Sequence, residues 1–379
     1  MALVLNEEQR FLKDTAKEFI KANSPVEALR QLRDNKDELG YDPDLWKEMA
    51  ELGWAGMVLP EAYGGLDFGF LGLGAVIEEQ GRNLTASPLM ATISLGASIL
   101  MLGGSERQKQ DLLPPVAAGE LTLALALEEG NHHNPEGITL SAEKNSEGYQ
   151  LNGKKVFVID GHSADKLVVA ARTSGSAGET EGISLFVVDG NANGVVRQRT
   201  ILADSRNSAN IRFEQVNVSE EDMVGSADKG WDILEATLNR GRICLAAEML
   251  GGALECFEQT VEYLKEREQF GVKIGTFQAL KHRTAQMYIE LELLKSVVLD
   301  ALSAIDDDRA DLPQLASLAK TLANDVYYLV TNEAVQMHGG IGVTDELEIG
   351  FYMKRSRVAI QLLGASGFHR DRYATMSGY

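Results

Sequence analysis

The sequence predicts an α+β protein with helices at both ends of the chain and strands only in its middle. Helical patterns fill roughly the first third. Short strand-like runs separated by Gly, Asn, Asp and Ser follow, and long helical patterns return from Gly230 onward. Because no helical pattern separates the strand-like runs, we expect an antiparallel sheet, a small barrel or sandwich of about 100 residues. The expected domains are residues 1–118, 119–226 and 227–379.

The N-terminal domain is predicted to be helical. Asn6 is a suitable N-cap for a first helix in "LNEEQRFLKDTAKEFIKAN", whose apolar residues recur at helical spacing. A second helix is expected in "DPDLWKEMAELGW", with Asp42 or Asp44 near its start and Gly53 as its stop. Further helices of small residues extend to about Leu113.

The middle domain contains the strongest short turn signal in the chain. The Asn152-Gly153 pair in "GYQLNGKKVFVID" lies between residues that favour strands, which predicts a hairpin at this pair. The runs "ADKLVVAART", "GISLFVVDG", "GVVRQRT" and "SANIRFEQVNV" predict the remaining strands.

The C-terminal domain is predicted to be a bundle, because its helical patterns are long and their connections are short. The expected helices run from Trp231 to about Arg267, over Phe277–Ile305, over Pro313–His338 and from about Asp345 onward.

Composition excludes several classes of function. A net charge of −20 disfavours nucleic acid and anionic membrane surfaces as partners. No apolar run reaches the roughly 18 residues of a membrane span, and the first residues have no basic segment typical of a signal peptide. Cys244 and Cys256 have no ligand-like neighbours, which favours a reducing cytoplasm. His132 and His133 are adjacent but lack ligands at metal spacing, so we expect no metal.

Two C-terminal segments combine glycines with polar residues at helix ends. They are "REQFGVKIGTFQALKH" (267–282) and "VQMHGGIG" (335–342). An arginine can bind a pyrophosphate with two hydrogen bonds, and a helix end next to glycines leaves backbone N–H groups available. Taken alone, the glycines could be only a helix C-cap and Arg267 only a surface arginine. The sequence has no G-x-G-x-x-G after a strand and no phosphate-binding G-x-x-x-x-G-K-[ST].

These segments, together with "LGWAGMVLPEAYGG", "LNGKKVFVIDG" and "LNRGRICLAAEMLG", resemble the acyl-CoA dehydrogenase family in the same order along nearly the whole chain. The resemblance implies a helical N-terminal domain, a β-barrel middle domain and a C-terminal four-helix bundle. It also implies FAD held between domains and a neighbouring subunit, an acyl-CoA substrate, and electron-transfer flavoprotein as the electron acceptor.

The resemblance assigns two groups of residues to FAD. The C-terminal group binds the FAD of an adjacent subunit and its diphosphate, and consists of Arg267, Phe270, Gln278, Gln336, Gly339 and Gly340. The middle-domain group surrounds the flavin ring and consists of Leu127, Glu128, Phe157 and Ile159.

The middle-domain group departs from the family pattern. Glu128 stands where the family usually has threonine, and Phe157 replaces the usual tryptophan. Ile159 stands where a hydroxyl often meets the N5 edge of the flavin. A carboxylate beside a reduced, electron-rich flavin is unfavourable unless it points away.

The glutamate that removes the α-proton in this family is missing. Its usual place near the C-terminus falls on Leu362, Leu363 or Gly364, and the family's second place falls on Gly241. A candidate substitute is Glu248, two helical turns after Gly241 and among apolar residues whose burial would raise its pKa. The alternative is that Glu248 is a buried, hydrogen-bonded part of the bundle.

The resemblance also leaves the role of this chain open. Some bacterial acyl-CoA dehydrogenases pair a subunit that carries the glutamate with a related subunit that lacks it, and this chain resembles the second kind. The first hypothesis is FAD-dependent α,β-dehydrogenation of an acyl-CoA, with Arg242 contacting the substrate. The alternative is a non-catalytic subunit that completes a partner's FAD site, in a heteromer or a homo-oligomer. A third is other flavin chemistry on the same fold, such as an oxidase or a monooxygenase.

Overall fold

A computed structural model describes residues 5–379 and has the predicted order of helices, strands and helices. The helices of the N-terminal part are α1 (Glu7–Asn23), α2 (Val26–Asp34), α3 (Pro43–Glu51), α4 (Phe70–Asn83), a π-helix (Met90–Ala97), α5 (Ser98–Gly103) and α6 (Glu106–Ala117). Asn6 caps α1 by accepting a hydrogen bond from the Gln9 backbone N–H. The predicted N-cap at Asn6 is thus confirmed. Of the two residues expected near the start of α3, Asp42 is its N-cap and accepts from the backbone N–H groups of Asp44 and Leu45.

The strands belong to a single sheet, apart from one short hairpin. They are β1 (Leu123–Ala126), β2 (Ser141–Asn145), β3 (Gly148–Ile159), β4 (Lys166–Arg172), β5 (Ile183–Asp189), β6 (Val195–Ile201), β7 (Asn207–Val218) and β8 (Met223–Val224). Their order is β6-β7-β3-β2-β4-β5-β8, with β1 paired to β4. The expectation of a wholly antiparallel sheet is wrong at β4. β1 runs parallel to β4, because the long connection through β2 and β3 lets the chain return in the same direction, and β2 also pairs with β4 in parallel, at Ser141 and Arg172.

The predicted hairpin turn is displaced. Asn145 pairs with Gly148, so the turn between β2 and β3 lies at Ser146-Glu147 rather than at Asn152-Gly153. The Asn152-Gly153 pair lies inside β3 at a register shift against β7. Gly153 has φ +145°, which explains the glycine at this bulge.

The remaining elements are helices and one short hairpin. They are α7 (Trp231–Glu266), the hairpin β9 (Glu268–Gln269) and β10 (Val272–Lys273), α8 (Gln278–Asp306), α9 (Leu312–His338), α10 (Ile349–Gln361) and α11 (Ser366–Met376). The three long helices are confirmed. The single last helix expected from about Asp345 is instead two helices, because Leu363 (φ +55°) and Gly364 (φ +109°) turn the chain between α10 and α11.

The chain forms two compact units. The helical unit contains the described residues up to Gln31, Phe70–Thr85 and Arg242–Tyr379, and the sheet unit contains Leu32–Gly69 and Ala86–Gly241. In the helical unit, α4 and α7 approach so closely that a Cβ on Gly251 would lie 1.8 Å from the Glu78 carbonyl oxygen. In the sheet unit, one face of the sheet packs into an apolar core that includes Val158, Ala209 and Ile211. None of the helices built from residues 5–379 is both long enough and apolar enough to cross a membrane.

Candidate functional site

The end of β1 is anchored by a buried lysine. The Nζ of Lys155 donates hydrogen bonds to the Leu127 carbonyl oxygen at 3.0 Å and to Oε1 of Glu129 at 2.7 Å. The Glu129 carboxylate also accepts from the backbone N–H groups of Thr139 and Leu140. Burial opposes ionisation of Glu129, but Lys155 and these donors together hold its pKa below its usual value. Lys155 and Glu129 therefore hold the backbone in place at Leu127 and Glu128, both of which are predicted to lie near the flavin ring.

The Glu128 carboxylate has a protein partner. Its Oε1 lies 2.5 Å from Nδ1 of His133, and its Oε2 lies 3.4 Å from the Asn134 backbone nitrogen. The His133 side chain is almost fully buried. The side chain of Glu128 is thus directed into the loop that follows it. A carboxylate near a flavin is expected to point away from the ring, and this orientation agrees with that expectation. The sequence singled out His133 only as half of an unlikely metal pair.

Phe157 and Ile159 lie at an irregular stretch of β3. Phe157 has φ +54°, and its backbone N–H donates to Oδ1 of Asn210 on β7 at 3.2 Å. Ile159 of β3 lies directly opposite Ser208 of β7. Both predicted ring residues are half-buried. Beside them lie two buried polar atoms without a hydrogen-bond partner, Oγ of Ser208 and Oδ1 of Asn207. Sequence reasoning did not find these residues, since neither belongs to a recognisable motif.

Arg267, Phe270 and Gln278 lie on or beside the hairpin that joins α7 to α8. Phe270 and Gly271 form its two-residue turn with positive φ at both positions, which matches the twist of a β-hairpin. Phe270 is 90% exposed and touches Phe277 edge to face. Arg267 and Gln278 are also exposed. In the helical unit this group therefore faces outward, as residues that bind a ligand of an adjacent subunit must.

Gln336, Gly339 and Gly340 lie together at the C-terminal end of α9. All three are exposed, and Gly339 has φ +65°. A Cβ built on either glycine would meet no atom within 4 Å. The glycines therefore leave open space at this helix end. The expectation of free backbone N–H groups is wrong at Gly339, because its N–H donates to the carbonyl oxygens of Gln336 and Val335.

The turn between α10 and α11 occupies the place where the family usually carries its base. Lys320 on α9 is fully buried, and its Nζ donates to the carbonyl oxygens of Ala359 and Gly364, each at 3.1 Å. Nε2 of His369 lies 2.9 Å from the Leu363 carbonyl oxygen. Burial, followed by the charges of Arg242 and Arg355, lowers the pKa of Lys320 well below its usual value. The carbonyl oxygens of this turn are thus held by Lys320 and His369, and the hydroxyl of Ser366 just after the turn donates to Oδ1 of Asp325 at 2.8 Å.

Glu248, the predicted substitute base, is bound by an arginine. Its Oε1 accepts from Nε of Arg355 at 2.9 Å and its Oε2 accepts from Nη2 of Arg355 at 3.0 Å. Both side chains are about nine-tenths buried. Arg242, predicted to contact substrate, is fully buried with its guanidinium carbon 5.7 Å from the centre of the Phe368 ring.

Comparison with known families identifies the class. Residues 6–120 match "Acyl-CoA dehydrogenase, N-terminal domain", residues 125–216 match the middle domain, and residues 228–376 match the C-terminal domain. The chain therefore belongs to the acyl-CoA dehydrogenase family. Members of this family are FAD-binding flavoproteins and oxidoreductases that act on CH–CH bonds.

Individual relatives cover nearly the whole chain. The probable acyl-CoA dehydrogenase YngJ of Bacillus subtilis is 32% identical over 91% of both chains. CarC, a subunit of the caffeyl-CoA reductase-Etf complex of Acetobacterium woodii, is 29% identical over 94% of both.

Solved structures agree with this assignment. Butyryl-CoA dehydrogenase from Megasphaera elsdenii superposes with a TM-score of 0.91 at 29% identity and full coverage of both chains. A structure described as electron transferring flavoprotein of Acidaminococcus fermentans gives 0.93 at 30% identity, also with full coverage. The Tcur3481-Tcur3483 steroid ACAD variant gives 0.88 at 31% identity over 98% of both chains.

The residues present fit FAD in each unit taken by itself. In the sheet unit, unpartnered buried polar atoms lie beside Ile159, and the Glu128 carboxylate is turned toward His133. In the helical unit, an exposed arginine and aromatic side chain accompany open space at Gly339-Gly340.

Proposed function

We propose that this chain is a subunit of a heteromeric acyl-CoA dehydrogenase that catalyses FAD-dependent α,β-dehydrogenation of an acyl-CoA thioester. In this proposal a related partner subunit supplies the carboxylate that removes the α-proton. Leu127, Glu128, Phe157 and Ile159 flank the flavin ring. The C-terminal group around Arg267 and Gly339-Gly340 binds the dinucleotide across a subunit boundary.

The observation that carries this proposal is the turn at Leu362–Gly364. A base is needed there, yet the turn presents apolar side chains, and its backbone carbonyls are held by Lys320 and His369. The side chains of Leu362 and Leu363 cannot accept a proton. The buried ammonium or amine of Lys320 is engaged with carbonyl oxygens, so it is directed into the backbone rather than toward a substrate.

We assign Glu248 a structural role. A base must reach the proton that it removes, but both oxygens of Glu248 are engaged by one arginine inside the helical unit. Buried charges in folded proteins are ordinarily paired and hydrogen-bonded, so this arrangement requires no catalytic role. This favours the alternative reading of Glu248 and leaves the proton-accepting role to another subunit.

The overall reaction breaks one C–H bond at the α-carbon and one at the β-carbon and forms a C=C bond. The α-proton passes to the carboxylate base, and bound FAD supplies the chemistry that accepts the β-hydride. The electrons then leave to an external acceptor, for which we propose electron-transfer flavoprotein. CarC is named as part of a complex with Etf, and the Acidaminococcus structure bears the name of an electron transferring flavoprotein. The steroid ACAD neighbour is named with two components, which supports a heteromer.

The first experiment restores the missing base in this chain alone. We expect purified wild-type protein to oxidise a panel of acyl-CoAs with a dye acceptor only at background rate, and Leu363→Glu to exceed background by at least about tenfold. Leu363→Gln is the matched control, because it has the same shape without a base. Co-expression with related subunits encoded nearby should also restore turnover to the wild-type chain.

The second variant tests Glu248. Glu248→Gln should lower stability without changing the chemical step of any active preparation. If the wild-type chain alone is fully active and Glu248→Gln abolishes that activity, Glu248 is the base and the heteromer proposal is wrong.

A second candidate function is a non-catalytic subunit that completes a partner's FAD site. The outward-facing group Arg267, Phe270 and Gln278 favours it. Absorbance at about 450 nm distinguishes the two. A catalytic subunit binds flavin in its own sheet unit, so substitutions in the middle-domain group around Phe157 and Ile159 should remove the absorbance. A completing subunit contributes only the C-terminal group, so only substitution of Arg267 should lower the absorbance.

A further inference from the structure

The loop that follows β1 is joined to β3 next to Phe157. The Glu128 carbonyl oxygen accepts a hydrogen bond from the Val156 backbone N–H at 2.7 Å. One residue earlier, the Leu127 carbonyl oxygen accepts a hydrogen bond from the buried side chain of Lys155. The fold of the sheet unit therefore brings Glu128 next to Phe157, and both belong to the middle-domain group.

Glu128 and Glu129 are consecutive carboxylates with separate partners. Lys155 forms an ion pair with Glu129, with its Nζ 2.7 Å from Oε1 of that residue. Glu128 is bound instead by His133, whose Nδ1 lies 2.5 Å from Oε1 of Glu128. Because an ionised carboxylate can only accept, the histidine ring donates this hydrogen bond. Lys155 is thus committed to Glu129, and His133 holds the side chain of Glu128.

The contact between His133 and Glu128 lies inside the loop rather than at the protein surface. The side chain of His133 is 2% exposed and that of Glu128 is 16% exposed. The second carboxylate oxygen of Glu128 lies 3.4 Å from the Asn134 backbone nitrogen, so both oxygens point toward the loop. A hydrogen bond to a charged group is strong, and shielding from water strengthens it further. His133 therefore fixes the place of the Glu128 charge.

We propose that His133 is a positioning residue for the flavin, because it keeps the Glu128 carboxylate in the loop and so prevents this charge from lowering the reduction potential of FAD. This inference rests on the proposed function, since it requires the ring to lie beside the middle-domain group. Threonine, which the family usually has in place of Glu128, carries no charge and needs no such partner. This chain combines the unusual carboxylate with a histidine that confines it.

The electrostatic reason is the change in the flavin on reduction. A negative charge nearby raises the free energy of the electron-rich, reduced flavin more than that of the oxidised flavin. A carboxylate released toward the ring would therefore lower the midpoint potential, and it would weaken the binding of reduced FAD relative to oxidised FAD. A carboxylate that a histidine holds within the loop has little of this effect.

The test measures the midpoint potential of FAD bound to the chain, alone or in the complex in which it carries flavin. His133→Phe should weaken the binding of reduced FAD relative to oxidised FAD about tenfold, which lowers the two-electron potential by about 30 mV. His133→Gln keeps a hydrogen-bond donor for the carboxylate and should retain most of the wild-type potential. His132→Phe is the matched control, because His132 is the neighbouring histidine but is exposed, and it should leave the potential unchanged.

The Glu128→Thr background separates positioning from a structural role of His133. In that background His133→Phe should not lower the potential, because no carboxylate is left to confine. Glu128→Thr alone should stay within about 10 mV of wild type, since the carboxylate is already held away from the ring.

Three results would overturn this inference while the proposed function stands. They are an unchanged potential in His133→Phe, an equal shift in the Glu128→Thr background, and a rise of about 30 mV in Glu128→Thr alone. The last result decides the question even where His133→Phe does not fold. A wild-type protein that binds no FAD, alone or in the complex, overturns both.

Discussion

Two lysines within residues 5–379 are fully buried, and their surroundings differ. Lys155 in the sheet unit is paired with the carboxylate of Glu129, which compensates its charge. Lys320 in the helical unit donates to the Asn324 side chain and to backbone carbonyl oxygens, with the cations Arg242 and Arg355 nearby. Burial lowers the pKa of both, but only at Lys155 does a carboxylate partner oppose this.

The difference shows how each lysine contributes to its segment. Lys155 belongs to an ion pair that fixes the loop following β1, where the flavin ring is proposed to lie. Lys320 fixes the turn between α10 and α11 through carbonyl oxygens, and this is the turn where the family's base is expected. Within the described part of the chain, Lys320 has no carboxylate partner that offsets its burial, and its pKa is therefore lowered well below its usual value. The carbonyl oxygens at the site of the missing carboxylate are thus held by a lysine and a histidine.

The largest expected effect comes from removing one half of the ion pair. Lys155→Met should cost about 3–5 kcal/mol of unfolding free energy, because it leaves the Glu129 carboxylate buried without its cation. Urea denaturation followed by circular dichroism measures it. The double variant Lys155→Met/Glu129→Leu should be more stable than the single one. A single variant within about 1 kcal/mol of wild type would show that the pair does not hold the sheet unit.

A buried glutamate, Glu79, should make the stability of the protein depend on pH. Burial above all raises the pKa of Glu79 from 4.5 to about 7. The folded state therefore binds more protons than the unfolded state between these values, so wild-type stability should fall as the pH rises from 4.5 to about 7. Glu79→Gln should abolish this slope and gain up to about 3 kcal/mol at pH 8. Thermal unfolding as a function of pH measures it, and an unchanged slope would contradict it.

Removing Lys320 should cost less than removing Lys155. Lys320→Met leaves the carbonyl oxygens of Ala359 and Gly364 without this donor, at about 1–3 kcal/mol. Because the pKa of Lys320 is lowered on folding, the unfolded state binds more protons, and wild-type stability should rise with pH toward 10.5. The cost of the substitution should therefore grow from pH 6 to pH 10. A cost that does not change with pH would mean that Lys320 stays charged.

The smallest expected effect comes from an exposed ion pair. Nη1 of Arg107 lies 2.5 Å from Oε2 of Glu221, closer than Lys155 to Glu129, but both side chains are about 70% exposed. Arg107→Ala should change the unfolding free energy by less than about 1 kcal/mol, since water screens the pair. A larger cost in the same urea experiment would show that the distance between the charges, rather than their burial, decides how much each ion pair stabilises the fold.

The local signals of the sequence predicted much of the fold. The caps at Asn6 and Asp42 and the three long C-terminal helices depend on contacts between residues close in the chain, and they are confirmed. The Asn152-Gly153 turn was wrong because strand register is set by pairing with β7 as well as by the turn residues. The family motifs located the two groups of FAD residues, whose roles stay predictions.

The amino-acid sequence by itself determined the order of helices and strands, the family, and the absence of an acid between Ile360 and His369. Only the tertiary structure decided what takes the place of that acid and which polar atoms lack a partner. A lysine within a helix pattern is ordinarily a surface residue, so nothing in the sequence indicates that Lys320 is buried against carbonyl oxygens. Nor can the sequence place Ser208 beside Ile159, because cross-strand neighbours are fixed by register between segments far apart in the chain.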